Sequence, residues 1–440
     1  MVKAAFIRST ALAVTIATLW AVPTTSQQIS RIDRGRAEDI LHVISDEVRK
    51  HYYDPKFHGL DWDARVAEAK QKIDQASSFN MAMSQIAAAM VDLNDSHTFL
   101  MPPEHVFRYD YGFQYQMIGD HCFITRVRPR SDAEVKGVVS GDELLTVNGF
   151  PVNRDTLWKL QYMFSVLRPQ PGLRLELRGI TGSQRQLDVM AHVSGVSKKV
   201  KDLTNGLDVW DLIRNEQRGE QLLRARYLDS GDQLLVLKVP EFIFDESEVQ
   251  NMMSQARKHK SLILDLRGNP GGSVETLKYF LGGVFDKEIK IADRVGRKEA
   301  KPEVAKPIRD PYKGDLTVLI DSRSASAAEL FARVIQLEKR GKVLGDLSSG
   351  SVMEAKHYTE TLGVETITLY GASITEWDLI MADGQSLEHR GVTPDEVLLP
   401  SAADLASGRD PVLARAAEIA GVKITPEAAG KTFPYEWPPQ

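Results

Sequence analysis

The 440-residue sequence holds a single cysteine, Cys122, so the chain cannot form an intramolecular disulfide in any compartment. Cys122 lies in the apolar run His121-Cys122-Phe123-Ile124 with nothing nearby in sequence to activate it, and reads as a small buried hydrophobe. An excess of charge of one sign is missing too. The 55 Lys and Arg nearly balance the 60 Asp and Glu, the net charge is -5, and no block of like charge stands out, which excludes a broad nucleic-acid footprint. No His-Glu-x-x-His pair and no Ser-x-x-Lys signature occurs, which argues against a zinc peptidase and a penicillin-binding enzyme. No cofactor or metal is expected. Long apolar runs are absent beyond the first 26 residues, so no later segment reads as a membrane span, which needs roughly 20 residues.

What is present is ordinary for a globular chain: 42% apolar and 26% charged residues. The length exceeds a single core and implies two or three domains. Lys3 and Arg8 precede an apolar stretch from Ala11 to Val22, then Pro23 and the small polar run Thr24-Thr25-Ser26. That order predicts a secretory signal peptide over residues 1–26. Residues 27–104 read as a helical domain, with Ile40, Leu41, Val43, Ile44 and Val48, then Met83, Ile86, Met90 and Leu93, at helical spacing. Met101-Pro102-Pro103 ends that run. Residues 105–197 switch to short β-prone runs between Gly and Asp turns, with a helical stretch from Thr156 to Leu167. Residues 198–440 alternate strand and helix, which predicts βαβ crossovers and a largely parallel sheet. Residues 286–313 are charged, carry scattered Pro, and read as a surface insertion or loop.

Three segments could carry chemistry. Asp265-Leu266-Arg267-Gly268-Asn269-Pro270-Gly271-Gly272 follows a buried strand and precedes a helix. Its glycines free backbone N–H groups to face a developing negative charge at a helix mouth. It matches neither a Walker loop nor the dinucleotide fingerprint, and a plain strand-to-helix turn is the alternative. Asp321-Ser322-Arg323-Ser324-Ala325-Ser326-Ala327-Ala328-Glu329 has the same placement. A lone serine there would be an ordinary N-cap. Three serines two apart among alanines leave room for a substrate backbone beside a hydroxyl. The third segment is Asp92-Leu93-Asn94-Asp95-Ser96-His97-Thr98, whose histidine taken alone would more often be structural.

Together these blocks resemble the C-terminal-processing, or tail-specific, serine peptidases. The nucleophile serine of that family maps onto Ser326, and the Asp-Leu-Arg-x-Asn-Pro-Gly-Gly block is its other hallmark. Residues Val135 to Gly149 look like the signature of a PDZ domain, and Tyr111-Gly112-Phe113-Gln114 resembles its carboxylate-binding loop, where the resemblance implies peptide capture by backbone N–H groups. The resemblance implies a multidomain α/β protein: an N-terminal helical segment, a PDZ-like β-rich module, and an α/β sandwich catalytic core of crotonase/ClpP-like βαβ units. One departure is clear. The family's general-base lysine falls on Ser351, and a neutral hydroxyl cannot take that role. The related tricorn-type peptidases use a histidine from a Ser-His pair ahead of the PDZ module and a late glutamate. Ser96-His97 and Glu388 match those in type and order. The implied constellation is Ser326 as nucleophile, His97 as base, Glu388 or Ser96 orienting the imidazole, and Gly271 and Ala327 as oxyanion donors. Lys356 competes as base, with His357 and His389 behind it. The expected activity is that of an exported, periplasmic bacterial endopeptidase acting on proteins or peptides through their C-termini. The competing reading is an inactive PDZ-bearing peptide-binding protein.

Overall fold

The apolar runs of the C-terminal half divide by strict alternation, and that division sets the layers. The computed structural model describes residues 29–103, 107–195, 224–362 and 368–437; the expected signal peptide and the first part of the 198–440 segment lie outside them. Strands are numbered along the chain as β1 (Phe99–Met101), β2 (Phe107–Asp110), β3 (Phe113–Ile118), β4 (His121–Val127), β5 (Glu143–Val147), β6 (Phe150–Pro151), β7 (Gly172–Arg178), β8 (Gln184–Met190), β9 (His192–Gly195), β10 (Arg226–Ser230), β11 (Leu234–Lys238), β12 (Ser261–Asp265), β13 (Ile289–Gly296), β14 (Glu303–Ala305), β15 (Asp315–Ile320), β16 (Lys342–Gly345), β17 (Met353–Leu362), β18 (Thr368–Met381) and β19 (Glu396–Val397).

A six-stranded sheet runs β10-β11-β12-β15-β16-β19, parallel except for the β10–β11 pair. Leu235, Leu237, Leu262, Leu264, Val318, Ile320 and Val343 enter one core, whereas Leu234, Val236, Ile263, Leu319 and Leu344 enter another. Both faces are therefore covered, as a parallel sheet requires, and this is why its strands read as unbroken apolar runs. Each fully buried Leu, Ile or Val contributes about 1.5–3 kcal/mol.

The helices are α1 (Arg31–His51), α2 (Trp62–Asp74), α3 (Phe79–Val91), α4 (Asp132–Val135), α5 (Arg154–Gln161), α6 (Glu246–Ala256), α7 (Val274–Gly282), α8 (Ala327–Leu337), α9 (Ala402–Ala406), α10 (Pro411–Ile419) and α11 (Pro426–Gly430). Helices α6, α7 and α8 cover one face of the sheet, and α10 covers the other.

A second, antiparallel sheet, β1-β18-β13-β14 with β17 paired to β18, lies beyond α6–α8. Ala292, Leu379 and Met381 join the helices' core, and Tyr370, Ala372 and Ile374 face α1, α2 and α3. The sheet corrects the expectation of a loop over residues 286–313. That segment holds β13 and β14, and buries Ile289, Ile291, Ala292 and Ala305 among its surface charges. The helical run likewise ends before Met101, since Phe99–Met101 pairs with Gly371–Ser373.

Residues 113–190 form a separate sheet, β3-β4-β5-β7-β8, with its own core around Ile124, Leu144, Leu175 and Val189. The two-stranded β2–β9 pair ties its entry to its exit. Helix α5 continues as a wider turn over Tyr162–Leu167.

Candidate active site

Strand β12 delivers Asp265 to the end of the parallel sheet, where it is fully buried. Burial would push its carboxyl up, yet Arg267 (2.8 and 2.9 Å) and Lys238 (3.3 Å) outweigh that and hold it below the usual carboxylate range. Arg267 also bridges to both oxygens of Asp410 at 2.8 Å. The Asp-Leu-Arg part of the loop is therefore a structural clamp joining β12 to the start of α10.

The glycine end faces the second segment. Gly271 has φ +102°, and a Cβ there would lie 2.7 Å from Ser326 Cβ and 3.0 Å from Ala327 N. Only a residue without a side chain lets the loop come this close. Gly271 N–H, expected as an oxyanion donor, instead donates to Asn269 Oδ1 at 2.8 Å. Asn269 is fully buried and its Nδ2 donates to Val239 O at 3.0 Å, which locks the turn. Ala327 opens α8, so its N–H has no acceptor within the helix.

Ser326 sits at φ 53°, ψ -119°, a left-handed conformation that costs a non-glycine residue about 1–3 kcal/mol. The surrounding bonds hold it there. Ala325 N–H donates to Asn269 O (3.0 Å), Ser349 N–H to Ser324 O (2.9 Å), and Ser324 Oγ to Leu266 O (2.8 Å). Ser326 N–H donates to Ser351 O (2.9 Å) and to Glu329 Oε2 (3.0 Å). Glu329 is fully buried and also accepts from Ser348 Oγ (2.6 Å), Gly350 N–H (2.7 Å) and Ser351 N–H (3.0 Å). Burial outweighs these four donors and pushes its carboxyl up to about 7. Sequence reasoning gave Glu329 no role, although it stands three residues after the serine, where a helix-capping carboxylate is expected.

The Ser96-His97 pair lies on the turn between α3 and β1. Buried Asp95 fixes that turn by accepting from His97 N–H (2.8 Å), Thr98 N–H (3.1 Å) and Thr375 Oγ1 (2.8 Å). Glu388 accepts from Ser96 N–H (2.8 Å), Ser96 Oγ (2.9 Å) and Val352 N–H (2.8 Å). Ser96 Oγ lies 2.8 Å from His97 Nδ1. Because the hydroxyl's only proton points at the carboxylate, Nδ1 must carry the proton of this second bond. Nε2 is then left with the lone pair. Burial lowers the His97 pKa, Asp95 opposes that shift, and His357 adds to it, so the imidazole is neutral at pH 7. Burial pushes Glu388 up against the N–H groups of Ser96 and Val352.

These bonds bring Ser96, His97 and Glu388 together and link them to Ser326 through one short segment. The Ser351 carbonyl holds the serine's N–H, and the next N–H, of Val352, holds Glu388. Lys356 is exposed on β17, 6.0 Å from the centre of the Tyr358 ring. His389 Nε2 is bonded to Asn94 O at 2.8 Å.

In the strand-rich module, Gly112 has φ +74°, and its N–H, expected to capture a carboxylate, donates to Asp110 Oδ1 at 2.9 Å. Phe113 is buried in the module core, and Gln114 Nε2 meets the Tyr435 hydroxyl. Among the described residues no group of acidic, His or Cys side chains could hold a metal ion, and no helix is long and apolar enough to cross a membrane.

Residues 233–398 match the model of peptidase family S41. The chain is 24% identical over 404 residues to a putative tricorn protease homolog 2 of Streptomyces coelicolor, covering 85% of this chain and 31% of that protein. It is 23% identical over 382 residues to a tail-specific protease of Haemophilus influenzae, covering 76% and 51%. The chain thus spans about a third to a half of the length of these relatives. Its fold is similar to that of mature CPAF, with a TM-score of 0.63 at 18% identity over 85% of this chain and 94% of that one.

Proposed function

We propose that this chain, whose residues 233–398 match the model of peptidase family S41, is a serine endopeptidase in which His97, not a lysine, activates Ser326. The observation that carries the reading is the chain of hydrogen bonds from Glu388 through Ser96 Oγ to His97 Nδ1, which leaves a neutral imidazole with its free lone pair on Nε2. In this reading Nε2 takes the Ser326 proton as Oγ attacks the scissile carbonyl. The imidazolium that forms is stabilised through Ser96 by the Glu388 carboxylate. The Ala327 N–H receives the tetrahedral oxyanion, in the space that the missing side chain of Gly271 leaves open. The imidazolium then protonates the leaving amine, and water hydrolyses the acyl-enzyme by the same steps.

The strand-rich module, read as PDZ-like, supplies substrate binding. An extended peptide adds to the edge of β3, which pairs with no second strand among the described residues, beside Gly112, Phe113 and Gln114. The order of residues 1–26 supports export, and the peptidase then works in the periplasm on exported proteins.

The test is labelling by a fluorophosphonate, with the adduct located by mass spectrometry in wild type, Ser326→Ala and His97→Ala. The reading expects an adduct on Ser326, none in Ser326→Ala, and a rate lowered on the order of 100- to 10,000-fold in His97→Ala. Undiminished labelling in His97→Ala would move the base to another residue. A folded protein that takes no label would favour the competing reading, a peptide-binding protein without catalysis, which Ser351 in the place of the family's lysine supports.

A further inference from the structure

Strand β3 ends its sheet, pairing with β4 alone among the described residues. Opposite it run α5 and the Tyr162–Leu167 turn. Between them lies a groove of about 470 Å³ lined by Phe113, Gln114, Tyr115, Gln161 and Phe164, and its wall is completed by Tyr435 and Trp437. These two residues come from another part of the chain. After α11 the backbone leaves the catalytic core without regular structure and crosses to the module. Phe433 packs against the core cluster that holds Val412 and Leu413, and Arg226 Nη1 donates to Pro434 O at 2.8 Å. The Tyr435 ring then lies 4.5 Å from the Arg126 guanidinium, and the Trp437 ring 4.7 Å from that of Arg128. The Tyr435 hydroxyl meets Gln114 Nε2, and the two rings contact each other edge to face at 5.1 Å.

The spacing is what makes this a recognition site. Arg126 is the penultimate residue of β4 and Arg128 the first residue beyond it, and each guanidinium lies against one of the two rings. Tyr435 and Trp437 are alternate residues of a segment without helix. Two guanidinium planes two residues apart read two rings two residues apart. Arginine over an aromatic face is attractive through the ring quadrupole, more strongly as water is excluded. The neighbouring Gln114 adds a polar contact suited to a tyrosine hydroxyl.

We propose that the Arg126–Arg128 face beside this groove recognises extended peptides with aromatic side chains two residues apart, and that residues 433–437 are its resident occupant, which a substrate of the same chemistry displaces. The inference rests on the reading of the module as a peptide-binding unit, and adds to it the ligand class and the competitor. A substrate without such a pair faces arginines already covered by the two rings. One that carries it competes on equal terms, so the segment acts as a selectivity filter.

The probe is a fluorescein-labelled peptide, Lys-Thr-Phe-Pro-Tyr-Glu-Trp, titrated by anisotropy into the full chain and into its Tyr435→Ala/Trp437→Ala variant. The variant is expected to bind it at least about tenfold more tightly, because the internal competitor is gone. Adding Arg126→Ala and Arg128→Ala to the variant is expected to remove the gain. A Tyr435→Leu/Trp437→Leu variant keeps apolar bulk at both positions and is expected to shift affinity the same way, which guards against a folding defect in the alanine form. Equal affinity of wild type and both variants overturns the inference. A second peptide, with Leu in place of Tyr and Trp, separates the two readings. If it binds as well as the aromatic peptide, the module binds peptides but the aromatic selectivity fails. If neither peptide binds any form, the peptide-binding reading fails and the inference with it. Labelling of Ser326 in the same samples reports on the peptidase reading independently.

Discussion

Glu329→Gln tests whether the buried carboxyl behind Ser326 titrates near neutrality. The site holds four donors, from Ser326, Ser348, Gly350 and Ser351, around a fully buried side chain. Burial raises its pKa from 4.5 in the unfolded chain to about 7. A raised carboxyl pKa means that the native state binds the proton more tightly than the unfolded state. The associated stability is complete below about pH 4.5 and is lost as the pH rises through 7. Linkage over that shift gives a loss of roughly 2–3 kcal/mol between pH 5 and pH 8. The amide is isosteric with the protonated acid and does not titrate. Its oxygen can keep the Ser326 and Ser351 N–H groups while Ser348 Oγ turns to accept from its nitrogen, leaving Gly350 N–H without a partner at a cost of about 1–3 kcal/mol. Urea unfolding at pH 5, 6, 7 and 8 is therefore expected to show wild type losing about 2–3 kcal/mol more across the range than Glu329→Gln. At pH 5 the variant is the weaker of the two, and by pH 8 the gap has closed. Parallel stability curves would refute the reasoning, since they would mean that the carboxyl stays ionised throughout.

The other predictions concern the site and its clamp. Gly271→Ala places a methyl 2.7 Å from Ser326 Cβ at a φ of +102°; fluorophosphonate labelling of Ser326 is expected to fall on the order of 100-fold, as a misplaced nucleophile would give, while circular dichroism stays native. The lowered His97 pKa puts the acid limb of the labelling rate below pH 6.5, because the imidazole must be neutral to act as base; a limb above pH 6.5 would contradict that. Arg267→Leu leaves Asp265 and Asp410 without their shared cation in a buried setting, and urea unfolding is expected to show a loss of about 3–5 kcal/mol.

The candidate site and its clamp were legible because each segment stands where an element ends. Asp265 closes a buried strand, Ser326 precedes a helix, and Ser96-His97 follows one. Apolar alternation and helix starts are local signals, and they located all three. The second sheet was not legible. Strand β13 mixes Ile289 and Ile291 with Lys290, Asp293 and Arg294, because one end of it is buried between layers and the other faces charged partners. Its register depends on β18, about ninety residues later, and no local pattern carries that pairing. The two misassigned donors did have a local signal. In Asp110-x-Gly112 and Asn269-x-Gly271 a side-chain oxygen accepts the N–H two residues on. That is the habit of Asp and Asn in turns. A glycine in such a turn is there for its backbone angle, and its N–H is already engaged.

The serine in the place of the expected lysine gains a meaning from the same bonds. Residue 351 works here through its backbone: its carbonyl accepts from Ser326 N–H, and its own N–H donates to Glu329. The adjacent Val352 N–H donates to Glu388. The segment that in a Ser/Lys enzyme would present a base therefore serves here as the strut between Ser326 and Glu388. The Ser351 side chain itself meets Ser349 Oγ at 2.9 Å, in an exposed setting. If His97 is the base, as proposed, position 351 needs no basic side chain, and its backbone is free to serve as the strut.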